Sequence, residues 1–185
     1  MLNNYSNLYS TPEDRLVYAP QFFRPSQPQE KVALNRLLAE GNVLFIHDEL
    51  SGQLQELIKS QNPSVRIKPD EYGSRIAAHL AEVHVDEYGV WVYYPWSRRL
   101  VHILDEDEFV EVRTNRNQYK ITRAERAALS TKKIGIVGLS VGQSIALTLA
   151  MERGFGELRL ADFDLLELSN LNRIRPGLHL SLIHI

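Results

Sequence analysis

The sequence predicts an α/β chain: a small mixed α/β region followed by the opening strand–helix–strand unit of a parallel sheet. Three observations carry this. An apolar strand at Lys133-Ile-Gly-Ile-Val137 runs into a glycine turn, and the turn opens a helical run that reaches Arg153. A second strand, Glu157-Leu-Arg-Leu160, follows and ends on the acids Asp162 and Asp164. Upstream, residues 30–112 alternate amphipathic stretches with short β-rich runs. Strands separated by helical segments belong to parallel or mixed sheets, because a parallel connection needs a crossover long enough to hold a helix.

The elements follow in chain order. Residues 1–29 carry Pro12, Pro20, Pro25 and Pro28 among Asn, Ser and Gln, and read as an irregular arm. Phe22 and Phe23 are expected to anchor it. From Glu30 to Glu40, Val32, Ala33, Leu34, Leu37 and Leu38 stand near helical spacing, and Gly41-Asn42 ends that helix. Val43-Leu-Phe-Ile46 is expected to be a compact buried strand. Leu50, Leu54, Leu57 and Ile58 mark an amphipathic helix over Glu49–Ser60, stopped by Asn62-Pro63. A weaker helix is expected over Glu71–Val83. Val90–Tyr94 and Arg99–Leu104 pair around Pro95-Trp96-Ser97, and Glu108–Arg113 is expected to add a third strand. Trp91, Tyr93, Tyr94 and Trp96 are read as sheet core.

The chain has 185 residues, a formal net charge of −2 and no cysteine. That charge gives no push toward nucleic acid or an anionic membrane. Without cysteine, disulfides, Cys-ligated zinc and thiol catalysis are excluded for these residues. The start, Met1-Leu-Asn-Asn-Tyr5, is not a signal peptide, and no apolar run approaches membrane-spanning length. A cytoplasmic protein is expected. Residues 30–112 carry no strong chemical motif. His47 beside Asp48 and Glu49 reads as a strand end that caps the next helix, and His79 and His84 lack metalloprotease spacing. Asp105-Glu-Asp-Glu108 is expected to be a solvated acidic turn.

Gly138-Leu-Ser140-Val-Gly142 fits two mechanisms. As a phosphate cradle, Gly138 permits the tight turn, Gly142 permits close packing at the helix start, and Ser140 donates from backbone and hydroxyl. The dinucleotide fingerprint has glycine where Ser140 stands. As a Gly-x-Ser-x-Gly nucleophile elbow, the same residues make Ser140 the nucleophile of an α/β-hydrolase. An NAD-binding module is a third possibility. Downstream residues favour the nucleotide site: Asp162 lies 24 residues after Gly138, near the spacing of a ribose-binding acid.

The stretch Asp162-Phe-Asp-Leu-Leu-Glu-Leu-Ser169-Asn170-Leu-Asn-Arg173 resembles the Asp-x-Asp-x-Val-x-x-Ser-Asn-Leu-x-Arg signature of the ThiF/MoeB/HesA family, relatives of the ubiquitin-activating enzymes. The resemblance covers residues 113–179 and implies a Rossmann-like fold. It further implies ATP and Mg2+ as cofactors and adenylation of the C-terminal carboxylate of a ubiquitin-like or sulfur-carrier protein. Carried over, Gly138, Ser140 and Gly142 line the nucleotide, Asp162 binds the ribose, and Asn170 and Arg173 contact the phosphates. Arg113-Thr-Asn-Arg116-Asn resembles the family's Arg-Tyr-x-Arg-Gln segment, which implies that Arg116 reaches a second subunit's site in a homodimer. Arg173 and Arg116 are thus the candidate catalytic residues.

The sequence departs from the family in a turn one residue shorter, with Ser140 for glycine. The family's lysine and magnesium-binding aspartate are expected after residue 179. Leu180-Ser-Leu-Ile-His-Ile185 matches the translation of a common sequencing-library adapter, so native sequence is expected to stop near His179 and the domain to be cut after its second strand. The chain alone is therefore expected to be inactive and poorly stable, since half a sheet leaves an unpaired edge.

Overall fold

The computed structural model of the chain describes residues 19–117 and 119–175. Most of the arm and the adapter-like tail lie outside the described residues. The chain divides into two compact units, Met1–Arg113 and Thr114–Ile185.

In the first unit the elements run β1 (Gln21–Phe23), α1 (Pro28–Ala39), β2 (Phe45–Asp48), α2 (Leu50–Gln61), α3 (Tyr72–Leu80), β3 (Val90–Tyr94), β4 (Arg99–Ile103) and α4 (Glu106–Thr114). The strands form one sheet in the order β1-β3-β4-β2. β3 is antiparallel to β1 and β4, with Phe23 opposite Trp91 and Tyr93 opposite Leu100, whereas β2 runs parallel to β4. Two apolar clusters hold it. Leu34 of α1 packs with Phe23, Tyr93 and Leu100. Leu50, Leu54 and Leu57, spaced to share one face of α2, pack with Leu80 and Leu104.

Leu54 is fully buried and its neighbours are themselves core residues, so the hole left by truncation has little to fill it. Leu54→Ala is expected to destabilise this unit by about 2–5 kcal/mol, read from urea unfolding followed by tryptophan fluorescence. A loss below about 1 kcal/mol would show that the site collapses freely.

Four expectations are corrected here. The strand expected to be buried at Val43–Ile46 runs instead from Phe45 to Asp48 at the edge of the sheet and is exposed at every position, with Phe45 53% and Ile46 58% exposed. Glu108–Arg113 is not a strand but lies within α4. Glu106, Asp107 and Glu108 occupy the first turn of that helix, where carboxylates meet the positive end of the helix dipole. Asp105 accepts the Glu106 N–H at 2.8 Å, and Phe109 and Val112, three apart, pack onto the leucine cluster. The same residues correct the solvated acidic turn. Asp105 takes a two-pronged bond from Arg24 (2.7 and 3.0 Å), and Glu108 accepts the Tyr88 hydroxyl at 2.7 Å and faces His79 Nε2 at 2.8 Å. The arm is not irregular throughout either, because Gln21–Phe23 adds a strand to β3 and α1 starts at Pro28, with proline in its first turn. Phe23 is buried there, while Phe22 is 51% exposed.

Tyr93 is core as expected, and Trp96 is 39% exposed. Asp48, not His47, supplies the side-chain acceptor at the start of α2, taking the Leu50 N–H at 3.2 Å. Its other partner is His102 rather than the neighbouring His47. His102 is buried, stacked on Trp91 with ring centres 4.2 Å apart.

In the second unit, α5 (Arg123–Leu129) starts from a capping box in which Thr122 accepts the Glu125 N–H and Glu125 accepts the Thr122 N–H. β5 (Lys133–Val137), α6 (Gly142–Glu152) and β6 (Glu157–Ala161) follow, with the strands parallel and in register from Lys133↔Glu157 to Val137↔Ala161. This strand–helix–strand unit is the predicted start of a Rossmann-like domain. Val137 is 82% exposed and Leu160 50%, apolar surface of the kind that parallel sheets cover on both faces.

Candidate functional site

The site grows from the C-terminal ends of β5 and β6, the edge at which open α/β sheets bind ligands. β5 ends at Val137 and the chain turns through Gly138, whose φ of +85° is a left-handed conformation that favours glycine. Its N–H donates to the Ala161 carbonyl at 2.8 Å, so the turn stays bonded to β6 after the strand has ended. Gly142 opens α6. A Cβ there would lie 2.7 Å from Ile136 Cγ2, so the helix start can sit this close to β5 only with glycine. Gly138 thus makes the tight turn and Gly142 the close approach of helix to strand that their spacing leads one to expect. Gly142→Val is expected to push α6 off the strand and destabilise the unit by roughly 1–3 kcal/mol, visible as earlier cleavage in limited proteolysis. Unchanged proteolysis would show that the Ile136 side chain simply moves aside.

Asp162 stands one residue beyond β6 and faces the turn. Its Oδ2 accepts the Leu139 N–H at 2.5 Å, and its Oδ1 accepts the N–H groups of Phe163 and Asp164 at 2.8 and 3.1 Å. These backbone donors, Leu139 first, hold the carboxyl below the usual aspartate range. A carboxylate offers about four lone-pair positions. Three are filled, and one on Oδ2 remains to accept a hydroxyl.

Beyond Asp162 the chain makes a short 3-10 turn at Leu168–Asn172 and returns to the glycine turn. Arg173 donates from Nε to the Ser140 hydroxyl oxygen at 2.9 Å and from Nη1 to Asn172 Oδ1 at 3.0 Å. The Arg175 N–H donates to Gln143 Oε1 at 3.3 Å. The return thereby fastens to both the turn and the first turn of α6.

The fold therefore brings together Gly138, Ser140, Gly142, Asp162 and Arg173. Asn170 sits on the same return, but its Oδ1 accepts the Glu167 N–H at 2.7 Å, a local capping bond. Arg116 is exposed on a 3-10 turn, Asn115–Asn117, and among the described residues no hydrogen bond joins it to the glycine turn. Gln143 was not anticipated. Its only signal in the sequence is its place just after the second glycine, where a side chain at a helix start can reach a loop lying over it. The His79–Tyr88–Glu108 network of the first unit was missed for a plainer reason, since its members are 9 and 20 residues apart along the chain.

The ThiF family model matches residues 113–175. Those residues are a ThiF-family segment. The match spans every element of the site, and members of the ThiF family are typically adenylyltransferases. Over 117 residues the chain is also 46% identical to a relative from Mycobacterium tuberculosis (strain CDC 1551 / Oshkosh), the "Uncharacterized protein MT1398". That alignment covers 58% of this chain and 16% of the relative, so the chain spans well under two thirds of its relative's length. No solved structure matches significantly. Among the described residues no helix is long and apolar enough to cross a membrane.

Chemically, the ThiF segment offers an anion site with a hydroxyl acceptor beside it. The N-terminus of α6 carries N–H groups without intrahelical partners and the positive end of a helix dipole. Arg173 adds a guanidinium whose five donors are only partly used by Ser140 and Asn172. Such a pairing suits phosphate oxygens. The partner of the Ser140 hydroxyl is an arginine, which can donate to that oxygen but cannot take its proton.

Proposed function

We propose that the full-length protein is an ATP-dependent activating enzyme that adenylates the C-terminal carboxylate of a ubiquitin-like or sulfur-carrier protein. The observation that carries this reading is the bond between Arg173 and Ser140, which sets a cation over a helix N-terminus within a ThiF-family segment. Bound ATP would supply an α-phosphorus that forms a bond to the carboxylate oxygen as the bond to pyrophosphate breaks.

The residues present fit that nucleotide. Gly138 and Gly142 keep the backbone close to the phosphates, Ser140 borders them, and the remaining Asp162 lone pair accepts a ribose hydroxyl. Arg173 offers its free donors to phosphate oxygens, as a cation oriented before the charge develops. Asn170, on the same return, is the second residue assigned to the phosphates. Arg116 serves the second subunit of a homodimer. Mg2+ belongs to this reading as well. Among the described residues no group of three or more His, Cys, Asp or Glu is placed to hold a metal ion, and the Mg2+ ligand is expected after residue 179.

Two measurements on the full-length protein separate this reading from its rivals. ATP is expected to bind at least about tenfold more tightly than NAD in calorimetric titration. A fluorophosphonate probe is expected to leave Ser140 unlabelled. Tighter binding of NAD, or labelling that disappears in Ser140→Ala, would overturn it.

A further inference from the structure

We infer that Ser140 is a positioning residue for Arg173, and that it acts on the reaction through that arginine rather than by holding the nucleotide itself. The inference rests on the adenylation reading above and concerns a residue for which the glycine fingerprint has no side chain. Arg173 is on an exposed return, and a free arginine there would sample many rotamers. Two side-chain acceptors restrain it. Ser140 Oγ takes the Nε–H at 2.9 Å, and Asn172 Oδ1 takes an Nη1–H at 3.0 Å. The Nε–H and the Nη1–H leave the planar guanidinium along different edges, so these two bonds hold its plane from two sides and leave the Nη2 donors unused. With glycine at 140 the first acceptor is gone.

The backbone supports the same arrangement from either side of Ser140. Leu139, the preceding residue, is tied to Asp162 at 2.5 Å, and Gln143 holds the Arg175 N–H at 3.3 Å. The serine is therefore offered from a turn fixed to β6, and the arginine from a return fixed to α6. The second hydroxyl lone pair and the hydroxyl hydrogen remain, but the contact that this structure gives Ser140 is to the arginine.

A side chain that only orients a transition-state cation changes kcat, whereas one that binds nucleotide directly changes KM. In ATP–pyrophosphate exchange by the full-length protein, Ser140→Ala is expected to lower kcat about tenfold, the loss of one hydrogen bond to a charged group. The KM for ATP should change by less than about threefold. Ser140→Thr, which keeps the hydroxyl, should recover most of the rate. In an Arg173→Ala background, Ser140→Ala should cost nothing further, because residues acting as a unit are non-additive. Melting temperatures within a few degrees of wild type would show that each variant folds. Additive losses in the double variant, an effect confined to KM, failure of threonine to rescue, or no effect of Ser140→Ala would each overturn the inference while leaving the adenylation reading in place. A wild-type protein without exchange activity would overturn both.

Discussion

Arg173→Ala in the full-length protein is expected to lower ATP–pyrophosphate exchange by roughly 10²–10³-fold, with little change in melting temperature. The size follows from where the charge sits. Adenylation crowds negative charge around one phosphorus, and a fixed guanidinium at the mouth of a helix N-terminus meets that charge without reorganising. The small effect on stability follows from exposure, since Arg173 donates to two side chains at the surface and is buried against nothing. Surface contacts of this kind contribute about 0–1 kcal/mol. Lysine should restore little, because one ammonium cannot bond Ser140 and Asn172 and still present a flat pair of donors. Wild-type exchange by Arg173→Ala would remove this residue from the chemistry.

Asp162→Ala is expected to weaken ATP binding by roughly 10–100-fold, as judged from titration calorimetry. Two losses combine in that figure. The ribose loses its acceptor, and Leu139, Phe163 and Asp164 lose the carboxylate that takes their N–H groups. The second loss loosens the glycine turn itself. Asparagine should rescue only in part, because its amide nitrogen would point a donor at a backbone donor. The pH dependence follows from the direction of the shift. The folded carboxyl is held below its unfolded value, so its contribution is complete above the ordinary aspartate range and is lost as pH falls through the lower, folded value. Turn integrity should therefore be flat from about pH 6 to 9 and fail only below about pH 4. Loss of binding near pH 6 would point to a histidine instead.

How far the sequence could be read differed between the two units for physical reasons. In the ThiF segment the strand, glycine turn, helix and second strand all stand where their residues place them. Two independent signals coincide there, hydrophobic period and glycine chemistry, and the strands are close along the chain. Gly142 shows the agreement best, since its predicted need for close packing reappears as the approach to Ile136. In the first unit, Glu108–Arg113 reads as a strand because Phe109, Val110 and Val112 are strand-favouring residues on a short segment, and the acids of a helix start look the same as those of a turn. The partners of His102 and Glu108 were illegible because they depend on tertiary contacts, which local pattern does not encode. At the site, the residues were legible and their bonds were not. Nothing in the sequence says that Arg173 returns to Ser140 rather than to a neighbouring acid.

On the proposed function, the glycine turn and the Asp162–Arg173 return form one ATP site used for carboxylate adenylation. The most direct measurement is isotope exchange between pyrophosphate and ATP by the full-length protein, with and without a small protein that ends in a free, flexible C-terminal carboxylate. Exchange is expected to need this carboxylate, to be specific for ATP and to disappear when the C-terminus is amidated. Exchange absent under all these conditions, in a protein shown to be folded, would contradict it.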